Sequence, residues 1–179
     1  MVFHVDYWDY LGWKDPFSKP EFTERQRAYA KFWGSKQVYT PMFVLNGLEW
    51  RHHANKNLDE QQKSVGRLSV DVGEKKDHFR ISFSPEAKLP VALRLHHAVL
   101  ANDVETSVTA GENSGKILKH DFLVLQKGES QFPQKNGVFT TEIFLQKKFE
   151  NPPGQNLFLV FWVTTKTNPV VIQALGGKL

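Results

Sequence analysis

Past residue 67 the apolar residues fall on every second position. Leu68-Val70-Val72, Phe79-Ile81-Phe83 and Val91-Leu93-Leu95 each alternate with polar neighbours. That spacing lines up side chains on one face of a pleated strand and suits no helix. Further apolar runs centre on residues 104–108, 118–125, 138–145, 157–163 and 170–175. Turn residues separate them: Gly73, Asn102-Asp103, Gly111 to Gly115, Gly128, Asn136-Gly137 and Pro152-Pro153-Gly154. About eight strands joined by short turns predict an antiparallel β-sandwich over residues 67–179.

Residues 1–66 follow another pattern and read as a separate α/β domain, so the fold class expected is α+β. Residues 18–33 predict a helix, with Ser18 and Glu21 as a capping box and Phe17 and Phe22 as a hydrophobic staple. Phe22, Tyr29, Phe32 and Trp33 recur at helical spacing as a buried stripe, and Gly34 ends it. Thr40-Pro41 then interrupts an extended run, Phe43 to Leu45 reads as a strand, and Asn46-Gly47 signals a hairpin. A proline is tolerated at the start of a strand, and a cis bond there is a local feature. A second helix is expected over residues 57–67, capped by Asn57 and Glu60.

The stretch FHVDYWDYLGWKDPF (residues 3–17) is the candidate site. Val2, Phe3 and Val5 favour a strand that puts His4 and Asp6 on one side. After Asp6, Tyr7, Trp8, Tyr10 and Trp13 crowd too closely for one face, and Gly12 and Asp15-Pro16 turn the chain. A strand end opening into an aromatic loop is a common place for function. His4 with Asp6, Asp9 and Asp15 could form a polar site. The favoured reading is that the rings pack over the sheet while the carboxylates cap turns or the next helix.

Composition excludes several chemistries. The chain has no cysteine, so disulfides, thiolate metal sites and cysteine nucleophiles are excluded within it. Its net charge of +4 comes from 23 basic residues spread among 19 acidic ones, in short clusters such as Lys75-Lys76 and Lys147-Lys148. That describes a solvated surface rather than a nucleic-acid footprint. No apolar run reaches membrane-span length, and the first residues lack the basic and apolar regions of a signal peptide. The sequence therefore reads as a soluble, unprocessed chain.

Three further segments join residues 3–17 in pointing to one family: ERQRAYA (residues 24–30), VYTP with NG (residues 38–47) and VTAGENSGKILKH (residues 108–120). With the PVVIQAL ending, they resemble the domain of unknown function 1223 family, a group of secreted thioredoxin-like bacterial proteins. The resemblance covers essentially the whole chain. It implies a thioredoxin-like α/β domain over residues 1–66, a periplasmic or secreted setting, and an ancestral thiol–disulfide site. Thr40 and Pro41 match the proline that walls such a site. In family members a strand, a Cys-x-x-Cys motif and a helix precede FHVDYWD, whereas here Met1 stands directly before it. The sheet is then expected to leave a gap, to close up, or to recruit another segment, since unpaired buried backbone is costly. Met42 also departs from the polar residue that relatives often carry after the proline.

Exchange chemistry needs an attacking thiolate, so no catalytic activity and no cofactor are expected of the chain as given. An intact form would be an extracytoplasmic thiol–disulfide oxidoreductase. The histidines offer a competing reading, with His4, His52-His53, His96-His97 and His120 as ligands beside Asp6 or Asp9. None has metal-motif spacing, and adjacent histidines on a strand face opposite ways. His97 shares the parity of Leu95 and Val99, which predicts a core residue. Gly111 to Gly115 fits a tight turn and no phosphate loop, and no serine stands in a nucleophile elbow. The remaining class is an interaction module for a protein or peptide, with His4, Asp6, Tyr7, Trp8, Asp9 and Trp13 as its contact loop.

Overall fold

The computed structural model describes residues 1–51, 65–75, 77–89, 92–145 and 156–179. Two four-stranded antiparallel sheets dominate it. One runs β3 (Gly66–Val72), β4 (His78–Pro85), β10 (Val138–Phe144) and β9 (Gln134–Lys135). The other runs β12 (Gln173–Lys178), β11 (Asn156–Thr165), β5 (Leu93–Asn102) and β8 (Leu123–Phe132). They share one core, in which Ile81 and Phe83 of the first sheet meet Leu95, Val99, Phe161 and Val163 of the second. The antiparallel sandwich read from the alternation is thus present, with eight strands in its two sheets.

β5 and β11 pair over their whole length, from Asn156↔Asn102 to Thr165↔Leu93. Ala98 to Ala101 on β5 and Leu157 to Val163 on β11 are apolar on both faces, which a strand needs only when each face is covered. Their second face carries Ala98, Leu100 and Trp162, and helix α1 (Pro20–Phe32) covers it through Phe22. Phe3 stands edge-on to Phe22 at 5.2 Å and closes the same cluster.

Local chemistry shifts several expected boundaries. The helix starts at Pro20, whose missing N–H costs nothing at a first helical position, with Lys19 as N-cap. No capping box forms: the Ser18 hydroxyl instead donates to Asp9 Oδ2 at 2.9 Å. Of the predicted stripe, Phe22 and Tyr29 are buried, but Phe32 is exposed. The end is as expected. Gly34 adopts φ +71°, and the N–H groups of Gly34 and Ser35 reach back to Lys31 O and Ala30 O in a Schellman motif.

The strand expected over residues 2–6 shrinks to one parallel bridge, Val2↔Leu123, on the outer edge of β8. β1 (Val44–Leu45) pairs only with β2 (Leu48–Glu49), through an Asn46-Gly47 turn whose φ values of 52° and 86° define type I′. Among the described residues, then, these two segments share no sheet. The Thr40–Pro41 peptide is cis. The helix expected over residues 57–67 lies mostly outside the described residues, and its last two, Gly66 and Arg67, belong to β3. The run 118–125 is two strands, because Phe122 at φ +54° breaks it between β7 (Ile117–His120) and β8. β7 pairs with β6 (Val104–Ser107). The last strand begins at Gln173, three residues later than expected. No helix among the described residues is long and apolar enough to cross a membrane.

Candidate binding cleft

After Val5 the chain turns through a short 3-10 helix, Asp9–Leu11, and its carboxylates are spent holding that shape. Asp6 accepts from the Thr23 hydroxyl, which itself accepts from the Asp6 N–H at 3.1 Å, tying the loop to α1. Asp9 takes the Ser18 hydroxyl at 2.9 Å and the Asp15 N–H at 3.3 Å. Asp15 takes the Phe17 N–H at 2.8 Å and pairs with His4 Nδ1 at 2.6 Å. Burial pushes the Asp15 carboxyl up. The His4 hydrogen bond, the Phe17 N–H and the charges of His4 and His120 outweigh it and hold the group below its usual value. Of these acids Asp15 caps a turn through the Phe17 N–H, while Asp6 ties the loop to Thr23 of α1 and Asp9 bridges to Ser18 and Asp15.

The rings behave differently. Tyr7 tilts against Trp8 at 5.4 Å, and its buried hydroxyl has no hydrogen-bond partner among the described residues. Trp8 and Tyr10 are exposed. The Trp8 indole N–H donates to the Thr40 hydroxyl at 3.1 Å, which joins the aromatic loop to the residue before Pro41. Gly111 stands over the loop, where an added Cβ would lie 3.3 Å from Leu11 O and 3.6 Å from Trp13 Cβ. Residues 111–115 do form a tight turn, with Ser114 N–H bonded to Gly111 O.

A cleft of about 1100 Å³ opens between these parts. Its walls are residues 1–5, the aromatic loop through Trp8 and Trp13, α1 through Arg25 and Tyr29, residues 40–47, the 108–113 loop, and Trp162 on β11. His4, Trp8, Asp9, Trp13, Thr40 and Pro41, singled out from sequence, all line it, whereas Asp6 and Tyr7 do not. Arg25, Tyr29 and Trp162 were missed as site residues. The available signal was a charge at Arg25, three residues after Phe22 and four before Tyr29, on the buried face of a helix.

Among the described residues the histidines meet at most in pairs, never with a third potential ligand placed to hold a metal ion. His96 and His97 face opposite ways across β5, as adjacent strand residues must. His96 stacks on Trp162 at 5.1 Å and meets the Thr164 hydroxyl at 2.9 Å. Burial, then the charges of Arg25, Lys127, Arg94 and His97, lowers its pKa to about 4. His97 is buried as expected, but its Nδ1 has no hydrogen-bond partner among the described residues. Its ring lies over Gly128, where a Cβ would come within 2.3 Å of Cε1. His4 and His120 are in edge contact at 5.1 Å. His52 and His53 lie outside the described residues, among which no cluster of three potential metal ligands occurs.

Fold and site together define an antiparallel β-sandwich protein with an aromatic-walled cleft outside one of its sheets. Residues 1–163 match the family described as Protein of unknown function (DUF1223), and the chain belongs to that family. No curated protein matches the sequence. The structure of HBP35 of Porphyromonas gingivalis is similar, with a TM-score of 0.55 and 15% identity over 89% of this chain and 58% of that one. This chain therefore spans little more than half of that protein. A bromine derivative of BhCBM56 matches at a TM-score of 0.34 and 13% identity, over 66% of this chain and 96% of that one, which is too low to carry an argument.

Proposed function

We propose that this chain is a binding module and that the cleft is its site. The observation that carries the reading is the apolar surface left along the cleft walls. Met1, Val2, Trp8, Phe43, Val44 and Leu45 all line it and all remain exposed. A contiguous apolar surface of this kind marks a place where something docks, and a concave one of this volume suits a ligand. The motif resemblance also supports a thioredoxin-like ancestry for residues 1–66 and an extracytoplasmic setting. On that view Thr40 and Pro41 are the wall of an old thiol site. Exchange needs a thiolate and this chain has no cysteine, so its own part is binding.

The test uses a neutral apolar dye, N-phenylnaphthylamine, with amide shifts mapped by NMR. The expected result is saturable binding that shifts the Trp8 and Trp162 indoles. Val44→Ser should weaken it about 10-fold by removing apolar contact. Shifts confined to β3 and β4, on the far sheet, would sink the reading.

A further inference from the structure

Among the described residues lining the cleft, Arg25 is the one lysine or arginine, and the N-terminal amine of Met1 is a second basic group. Its guanidinium carbon sits 4.8 Å from the Phe3 ring, 4.8 Å from the Tyr29 ring and 5.6 Å from the Trp162 ring. Of its five N–H donors, one bonds the Tyr29 hydroxyl at 3.0 Å, and no ion pair to a carboxylate forms among the described residues. Burial lowers its pKa, and Tyr29 and then Glu129 act against that. Glu129 has one oxygen 3.3 Å from Arg94 and acts on Arg25 only at a distance, with no direct ion pair between them. Of the acids that line the cleft, Asp9 bonds Ser18 and Asp15 pairs with His4, while Glu112, on the 108–113 loop, forms no ion pair among the described residues and none with Arg25.

A half-buried cation walled by three rings is a costly thing to keep without a counter-charge. Cation–π contacts return only a part of that cost. A planar guanidinium with free parallel donors is shaped to take a carboxylate through two hydrogen bonds. The rest of the cleft is largely apolar. We infer that the cleft binds an amphipathic monocarboxylate, its head on Arg25 and its apolar body along residues 1–5 and 43–45. The inference rests on the cleft being the binding site.

Dodecanoate and dodecanol, both below their aggregation limits, separate the two ideas when each displaces the dye from the full-length chain near neutral pH. Dodecanoate is expected to displace it at about 10–100-fold lower concentration, the usual worth of a charge-assisted pair. Arg25→Gln should abolish that preference, so that the two probes displace the dye at similar concentrations, while Arg25→Lys should keep part of it. If the two probes displace the dye equally from the unaltered chain, the inference is overturned and the cleft remains. A preference that survives Arg25→Gln overturns it as well. If the dye never enters the cleft, both ideas fall. The comparison in the unaltered chain stands even if Arg25→Gln does not fold.

Discussion

His96 has a folded pKa near 4, against 6.5 for the free side chain. The unfolded chain therefore takes up a proton first as pH falls. The stability this imidazole contributes is whole above pH 6.5 and is lost as pH drops towards 4, to a limit of about 3 kcal/mol. His97 and His120 are shifted in the same direction. Urea midpoints should thus fall steadily between pH 7 and 4.5, and His96→Gln should flatten the slope. An unchanged slope would show that His96 does not titrate with folding. At this scale the sequence was informative about direction and silent about partners. Strand parity alone puts His96 and His97 on opposite faces. That one meets Trp162 and the other a glycine across the sheet depends on the register of β5 against β11 and β8. The acids of residues 6–15 show the same limit, since which donor each would find depends on the fold of the loop around it.

Two Asn-Gly hairpins provide a matched pair of elements. Asn46-Gly47 and Asn136-Gly137 have nearly the same dihedrals, with glycine φ values of 86° and 87°. At Gly137 an added Cβ meets nothing within 4 Å, while at Gly47 it would lie 2.2 Å from Pro169 O and 2.7 Å from Val170 Cα. Gly137→Ala should then cost about 1 kcal/mol from backbone strain alone. Gly47→Ala adds a clash with fixed backbone and should cost about 3 kcal/mol. Equal costs in chemical denaturation would mean that the hairpin does not rest on residues 169–170. Turn types were legible because they depend on two adjacent residues. Strand limits were less so: the break at Phe122 needs a positive φ in a residue that gives no local hint of one. The helix start was misread because Ser18 looked like a cap, while Asp9, nine residues earlier, had claimed its hydroxyl.

Across the molecule, α1 is held to the sandwich by Phe22, which is 1% exposed among Phe3, Leu100, Val124 and Trp162. Phe22→Ala should destabilise the chain by about 3–5 kcal/mol, as large aromatic truncations in cores do. Because the residue touches both α1 and the β5–β11 pair, faster hydrogen exchange is expected in the strands as well as in the helix. Loss of protection in α1 alone would show that the two come apart independently. The sandwich was legible because strands such as β4 alternate along their length and turn residues separate the runs. The cleft was not, because its walls come from segments as distant as Met1 and Ala174. The bridge from Val2 to β8 is the smallest of these long-range ties. Val2 N–H bonds Phe122 O at 2.8 Å, and Val124 N–H bonds Val2 O at 3.0 Å, beside the exposed ring of Phe122. A sheet border with free amides and a greasy neighbour invites a strand from another copy. By stitching Val2 there, the chain occupies the Phe122–Val124 end of that border with its own backbone.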